Sequence, residues 1–318
     1  MKHRNVLVLL ILIGILLGCD SPLSGGYVGN VDLYKGTNGV VLGLIEEFPP
    51  KVVFEGADLV MALELENKGA FDVDNGVLAL SLEQDYMRLN AWNHDNKKKS
   101  SANKNIASFT IRGKSFGSPV GETKVITANL DSLILERQTE THTSNMVVTA
   151  CYPYTTHFEE NICIDTNIFS PSPVEKNCKI SDSSFSGQGA PVAVVKRKSK
   201  MIPRPDGKSV DPSFTLTLKN VGKGEIIHEQ AYSQACSSGP LTKKDFNRII
   251  VEAELAGRTL RCRPEEFQLT SQRDSITCDF PAGISTTLGS YITPLVVTLR
   301  YGYTESISKQ IEIRRLGP

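Results

Sequence analysis

Beyond residue 30 the chain alternates between apolar and polar positions. Met61, Leu63 and Leu65 fall on one side of LVMALELENKG, and Val77, Ala79 and Ser81 on one side of the following run. Val251, Ala253 and Leu255 do the same in a later run. A period of two belongs to a strand that buries one face. Turn signals at Asn75-Gly76 and Ala256-Gly257 punctuate the runs, and no long amphipathic helix is evident after residue 20. The pattern predicts an all-β chain of short antiparallel strands.

The alternation is also written twice. MVVTACYPYT at 146–155 matches LVVTLRYGYT at 295–304, and LVMALELENKG at 59–69 matches FTLTLKNVG at 214–222. Ile162-Cys163-Ile164 follows the first copy at the spacing at which Ile311-Glu312-Ile313 follows the second. Landmarks recurring in one order mark a duplicated unit. We therefore expect two tandem Ig-like antiparallel β-sandwiches, at 31–170 and 188–318, joined by a Ser/Pro-rich linker at 171–187. The first carries a polar insert at 88–120. Each unit is expected to end in a hairpin that begins with Val-Val-Thr. A turn about His157 would set Cys151 opposite Cys163, and in the second unit Arg300 opposite Glu312 as an ion pair.

The N-terminus changes the picture. Lys2 and Arg4 precede an unbroken apolar run, Val6 to Leu17, and then Gly18-Cys19. This is the layout of a secretory signal, 1–18, and twelve apolar residues fall short of the ~20 that span a bilayer. Leu-x-Gly-Cys resembles the lipobox of bacterial lipoproteins and of some archaeal surface proteins. The resemblance implies a lipid on Cys19, a tether over 19–30 and a protein held on the extracytoplasmic side of the cell membrane. An uncleaved signal anchor is the alternative.

Export bears on the cysteines. Of seven, Cys19 is set aside for lipid, and Cys151, Cys163, Cys178, Cys236, Cys262 and Cys278 form an even set suited to disulfides. Cys262 with Cys278 flanks a strand-turn-strand stretch. With Cys151 assigned to Cys163, Cys178 and Cys236 remain to fasten the linker to the second sandwich. Zinc is disfavoured because no C-x2-C spacing occurs. Lysine plus arginine equals aspartate plus glutamate at 35 each, so no global field attracts nucleic acid.

Alternating residues that run into Asn-x-Gly, and the stretch YKGTNGVVLGLIEEFPPKVVFEGADLVMALELENKGAFDV, resemble the adhesion-type, CARDB-like modules of envelope lipoproteins from small-genome archaea. The resemblance covers the strand core of both units but not the insert. It implies binding or scaffolding and supplies no catalytic residues.

The remaining chemistry is sparse. The histidines (His3, His94, His142, His157 and His228) form no metal-binding pair. Asp72 to Gly76 imitates a calcium loop, but the glycine arrives early, and a hairpin turn at Asn75-Gly76 is the reading adopted. No nucleophile elbow, P-loop or dinucleotide fingerprint is found, so neither an enzyme nor a cofactor is expected. Candidate interaction residues are Trp92, in the insert, and the basic stretches Lys97, Lys98, Lys99 and Lys196, Arg197, Lys198. A solvated loop and a charged edge strand are the plainer readings of those stretches. The expectation is a membrane-anchored, non-catalytic lipoprotein that holds another envelope component. The alternatives are a calcium- or ligand-dependent module or enzyme built on the insert, or a subunit of a larger surface assembly.

Overall fold

The computed structural model describes residues 33–317 except 95–96, 100–104, 169–174, 238 and 272. Cys19 and the signal lie outside the described residues, as do the side chains of His94, Lys97, Lys98 and Lys99. The first half contributes β1 (Val40–Leu44), β2 (Val52–Phe54), β3 (Asp58–Asn67), β4 (Val73–Leu82), β5 (Met87–His94), β6 (Lys97–Lys99), β7 (Ile106–Ile111), β8 (Thr123–Ser132) and β9 (Thr141–Asp165). The second contributes β10 (Ser183–Ser184), β11 (Val192–Pro203), β12 (Ser209–Asn220), β13 (Glu225–Ile227), a short helix (Tyr232–Cys236) and β14 (Arg248–Leu255). It continues with β15 (Arg258–Thr259), β16 (Arg261–Arg263), β17 (Glu266–Gln268), β18 (Arg273–Asp279), β19 (Ile284–Ser285) and β20 (Ser290–Arg314). The chain is an all-β sandwich protein, as the alternation requires.

Its halves are not separate sandwiches. β9 and β20 pair antiparallel along their whole length of 25 residues each and form the middle of one nine-stranded sheet, β15-β14-β20-β9-β4-β7 with β2, β13 and β17 at its flanks. Each half adds its own smaller sheet, β1-β3-β8-β5-β6 in the first and β10-β11-β12-β18-β16 in the second. Asp32–Pro318 is consequently one compact unit with one continuous core, not two sandwiches with a linker at 171–187.

Side-chain parity shows how the layers stack. Ser144, Met146, Val148, Ala150, Tyr152, Tyr154, Thr156 and Phe158 are all buried, and so are their counterparts of one parity on β20, from Thr293 to Tyr303. Both strands thus bury one face through both halves. The first smaller sheet covers it at one end and the second at the other.

The expected hairpin about His157 does not form. Glu159-Glu160-Asn161 has the polarity of a turn, but all three residues continue β9 and pair with Val296, Leu295 and Pro294 of β20. Glu159 and Asn161 lie on the outward parity of β9, and Glu160 is neutralised by Arg197. Cys151 and Cys163 therefore sit twelve residues apart on one strand, about 40 Å in an extended chain, and cannot bond. Cys151 joins Cys236, Cys163 joins Cys178, and Cys262 joins Cys278. All six cysteines are in disulfides, with the third pairing as expected and the first two exchanged. Arg300 pairs with Glu252 and Glu229, and Glu312 with Arg314, in place of each other.

Two turn signals have different fates. Ala256-Gly257, both at positive φ, closes the β14-β15 hairpin. Asn75-Gly76 is no turn but a bulge within β4, where a Cβ on Gly76 would collide with the Phe109 ring.

The candidate site at the junction of the halves

The repeat converges on the middle of the shared sheet. Pro153 lies opposite Gly302, and on either side Tyr152 faces Tyr303 and Tyr154 faces Tyr301. Tyr152 and Tyr301 occupy the same place in the repeat, as do Tyr154 and Tyr303. The four rings pack with centroids 5.7 to 6.4 Å apart and are wholly or almost wholly buried.

The hydroxyls of Tyr154 and Tyr303 repeat one another's bonds. Tyr154 donates to Asn67 Oδ1 at 3.2 Å and accepts from Phe71 N at 3.3 Å. Tyr303 donates to Asn220 Oδ1 at 3.2 Å and accepts from Gly224 N at 2.8 Å. Both asparagines donate to the backbone four residues on, at Phe71 O and Gly224 O. A Cβ on Gly69 or Gly222 would strike the respective tyrosine hydroxyl. Asn-x-Gly and Tyr-x-Tyr, the most visible repeats in the sequence, are thus two sides of one lock. Tyr152 and Tyr301 seal the entry strands in the same way, through Val40 N and Val192 N. Burial raises the pKa of all four phenols, so they stay protonated donors at any ordinary pH.

The reverse face of the junction is covered. Residues 228–247 leave the sheet between β13 and β14, and their helix crosses the centre, where Gly302 makes room for Tyr232. The disulfide from Cys236 holds this excursion to Cys151 on one side. On the other, Glu229 pairs with Arg300, which is the repeat counterpart of Cys151. The slot shared by a cysteine and an arginine therefore exists, with both residues gripping the same segment.

Beside the lock lies a cleft of about 460 Å³, lined by Tyr34, His157, Glu159, Ser184, Phe185 and Gln188 among others. Tyr34 and Lys35 form one wall. Gly189 N donates to Gly36 O at 2.9 Å, and Lys114 Nζ donates to Lys35 O at 3.1 Å. Tyr34 and His157 approach with ring centroids 5.7 Å apart, and Phe158 packs edge-on to Phe185 at 4.8 Å. His157 Nε2 lies 3.9 Å from Glu159 Oε2. The volume suits a small polar ligand or one side chain of a partner, held by ring faces, a carboxylate and serine hydroxyls. No group of three or more His, Cys, Asp or Glu side chains able to hold a metal occurs among the described residues. Asp72, the first residue of the calcium-like stretch, is taken up by Arg112 Nη1 at 2.8 Å and Gly113 N at 2.7 Å. Burial alone would raise its carboxyl, but these two bonds outweigh it and lower the pKa.

The expected interaction residues lie elsewhere. Trp92 is 2% exposed and belongs to the core, because its strand β5 pairs with β8 and turns the indole inward. Lys97, Lys98 and Lys99 form β6, an edge strand paired with β5. The second basic stretch is split by strand parity. Lys198 is exposed and Lys196 partly so, whereas Arg197 is 3% exposed and grips Glu160 through two bonds, Nε to Oε2 at 2.9 Å and Nη2 to Oε1 at 2.7 Å. Arg197 is a strut between β11 and β9. The junction cleft went unnoticed in the sequence because its walls come from three separate stretches.

No family model matches the chain, and no curated protein matches it. Among solved structures it is similar to a cohesin–dockerin complex chain from Clostridium thermocellum, with 7% identity, a TM-score of 0.27, and coverage of 37% of this chain and 84% of that one. It is also similar to the CupB6 tip adhesin of Pseudomonas aeruginosa, with 8% identity, a TM-score of 0.17, and coverage of 89% and 96%. A structure titled BspA_C_WT gives 8% identity and a TM-score of 0.20, covering 86% and 97%.

Proposed function

We propose that this chain is an envelope lipoprotein, anchored through Cys19 on the extracytoplasmic side of the membrane, and that it acts as a non-catalytic module holding another envelope component at the junction cleft. The observation that carries the reading is the position of the cleft. One wall is Tyr34-Lys35, the segment that follows the Cys19 tether in the sequence, and another is His157–Glu159 on the doubled strand core, so a ligand there would rest on the paired β9 and β20. Three disulfides in a body with one continuous core suit an exported, oxidising setting. The resemblance to adhesion-type modules agrees with this role.

The anchor is tested by the intact mass of membrane-extracted protein beside a Cys19→Ser variant. A lipid-sized increment lost in the variant is expected, and a full-length mass without lipid contradicts the anchor. The cleft is tested by retention of solubilised peptidic and polysaccharide envelope fractions on immobilised residues 32–318. Retention that falls at least tenfold in Tyr34→Ala and Phe185→Ala supports the cleft as the binding place. Retention unchanged by both substitutions contradicts it.

A further inference from the structure

The second half passes from β17 to β18 through four residues, 269–272, whereas the first passes from β7 to β8, the corresponding strands, through 112–122. The longer connection is a built hairpin. Ser115 N donates to Ser118 O and Ser118 N to Ser115 O, both at 3.0 Å, which leaves Phe116 and Gly117 at the tip. Ser118 Oγ donates to Gly121 O at 2.9 Å, and Gly121 N donates back to Ser118 O at 3.1 Å. The stem is closed by Glu122 N to Arg112 O, and Asn67 N, in the lock itself, donates to Glu122 O.

This ordered hairpin presents apolar side chains to the outside. Phe116 is 85% exposed and Val120 71%, the two most exposed large apolar residues of the first half apart from Ile134, which equals Val120. Apolar groups held outward by a hydrogen-bonded frame mark a contact surface rather than loose chain. Charge supports one kind of contact. Lys114 stands at the base, its Nζ on the Lys35 carbonyl at 3.1 Å, while the neighbouring Arg112 is paired with Asp72. An apolar tip with a lysine at its base is a composition that inserts among acyl chains and meets anionic headgroups.

The place where the leader enters selects the occupant. Leu33 and Tyr34 pack on Gly189, and Lys35 is bonded to the hairpin's Lys114. The chain before Leu33 holds the apolar run and Cys19, and the extended reach from Cys19 to Leu33 is at most ~50 Å. A lipid on Cys19 would therefore tether the body through a segment that enters beside this hairpin, and the corresponding connection of the second half is only four residues long. We infer that the hairpin around Phe116 and Val120 is a membrane-docking element that seats the anchored body on an anionic lipid surface. The inference rests on the anchored reading above, so its test supplies an anchor independently.

Residues 32–318, a compact unit of their own, are attached by an N-terminal histidine tag to vesicles of phosphatidylcholine and phosphatidylglycerol that carry a nickel-chelating lipid. Phe116→Trp is compared with Leu288→Trp, at an exposed position of the second half. The expected result is a blue shift and quenching by brominated lipid at position 116, with neither at 288, and weaker quenching when phosphatidylglycerol is left out. Trp92, being buried, serves as an unquenched background. An emission at position 116 that matches the exposed indole at 288 overturns the docking role. Whether Cys19 carries lipid is read separately from the intact mass of the native chain, so the two ideas fail independently.

Discussion

The two halves of this protein differ least at their shared centre and most at the segments laid over it. Asn67 and Asn220, Tyr154 and Tyr303, Val40 and Val192 repeat one set of hydrogen bonds. Around them, equivalent slots hold unlike chemistry. Cys151 matches Arg300, Glu160 matches Lys309, and Thr156 matches Glu305. β4 runs unbroken in the first half, while its counterpart in the second is split into β13 and β14 by residues 228–247. What persisted is what closes the interface between the copies. What diverged holds the added segments or faces the surroundings.

The Glu160/Lys309 slot separates the halves most sharply. Arg197→Ala would leave Glu160 without its bidentate partner in a largely buried site and is expected to cost about 3–5 kcal/mol. Lys309→Ala loses one bond, to Pro49 O, and is expected to cost about 1 kcal/mol. Denaturant midpoints of the two variants at unchanged slope measure the difference.

The next largest contrast lies in the Cys151/Arg300 slot. Removing the Cys151–Cys236 disulfide by paired alanines is expected to cost about 3–4 kcal/mol, because the bridge spans 85 residues. Arg300→Ala loses two partly exposed ion pairs and should cost under about 1 kcal/mol. Thermal unfolding of the oxidised proteins reads both, and a larger loss from Arg300→Ala would reverse the assignment of which grip holds the excursion.

The lock itself should respond alike in both halves. Tyr154→Phe and Tyr303→Phe each remove a donor from a buried network and should cost about 1–2 kcal/mol, equal within error if the repeat is energetically as well as geometrically symmetric. Its pH dependence follows from the raised phenol pKa values. The folded state keeps these protons above pH ~10, where the unfolded chain releases them, so stability is full below that pH and falls as pH rises beyond it. Each Tyr→Phe variant should show a shallower alkaline loss than the parent.

The smallest effect carries a sign. Burial raises the Glu305 carboxyl, with Lys223 opposing, so the ionised side chain is a cost at neutral pH and its contribution worsens as pH rises through the acid range. Glu305→Gln is expected to stabilise by a few tenths of a kcal/mol at pH 7. Thr156→Val, in the matching slot, loses the bonds to Val192 O and the Tyr301 hydroxyl and should destabilise by about 1 kcal/mol.

Much of this architecture is visible in the residues. Alternation marks the β class, and Met61, Leu63 and Leu65 are indeed core. The duplicated Asn-x-Gly and Tyr-x-Tyr segments mark the lock, although only the fold shows that they meet. Cys262 and Cys278 pair across β16 and β18 as the local pattern suggests. The 25-residue strand β9 was hidden by Glu159-Glu160-Asn161, whose polarity serves an outward face and an ion pair rather than a turn. Once that strand is read as a hairpin, the sheet divides into two and the disulfides follow. Arg197 was hidden because a buried cation and its exposed lysine neighbours look alike until a partner strand supplies the carboxylate. The cleft has no local signature, since Tyr34, His157 and Phe185 meet only through the folded junction.

Calorimetry of residues 32–318 with and without Arg197→Ala tests the shared sheet most directly. If β9 and β20 bind the halves into one unit, the protein unfolds in a single transition whose calorimetric and van't Hoff enthalpies agree, and the substitution lowers that whole transition. Two transitions, of which only one moves when Arg197 is replaced, would contradict the account and return the molecule to a pair of independent sandwiches.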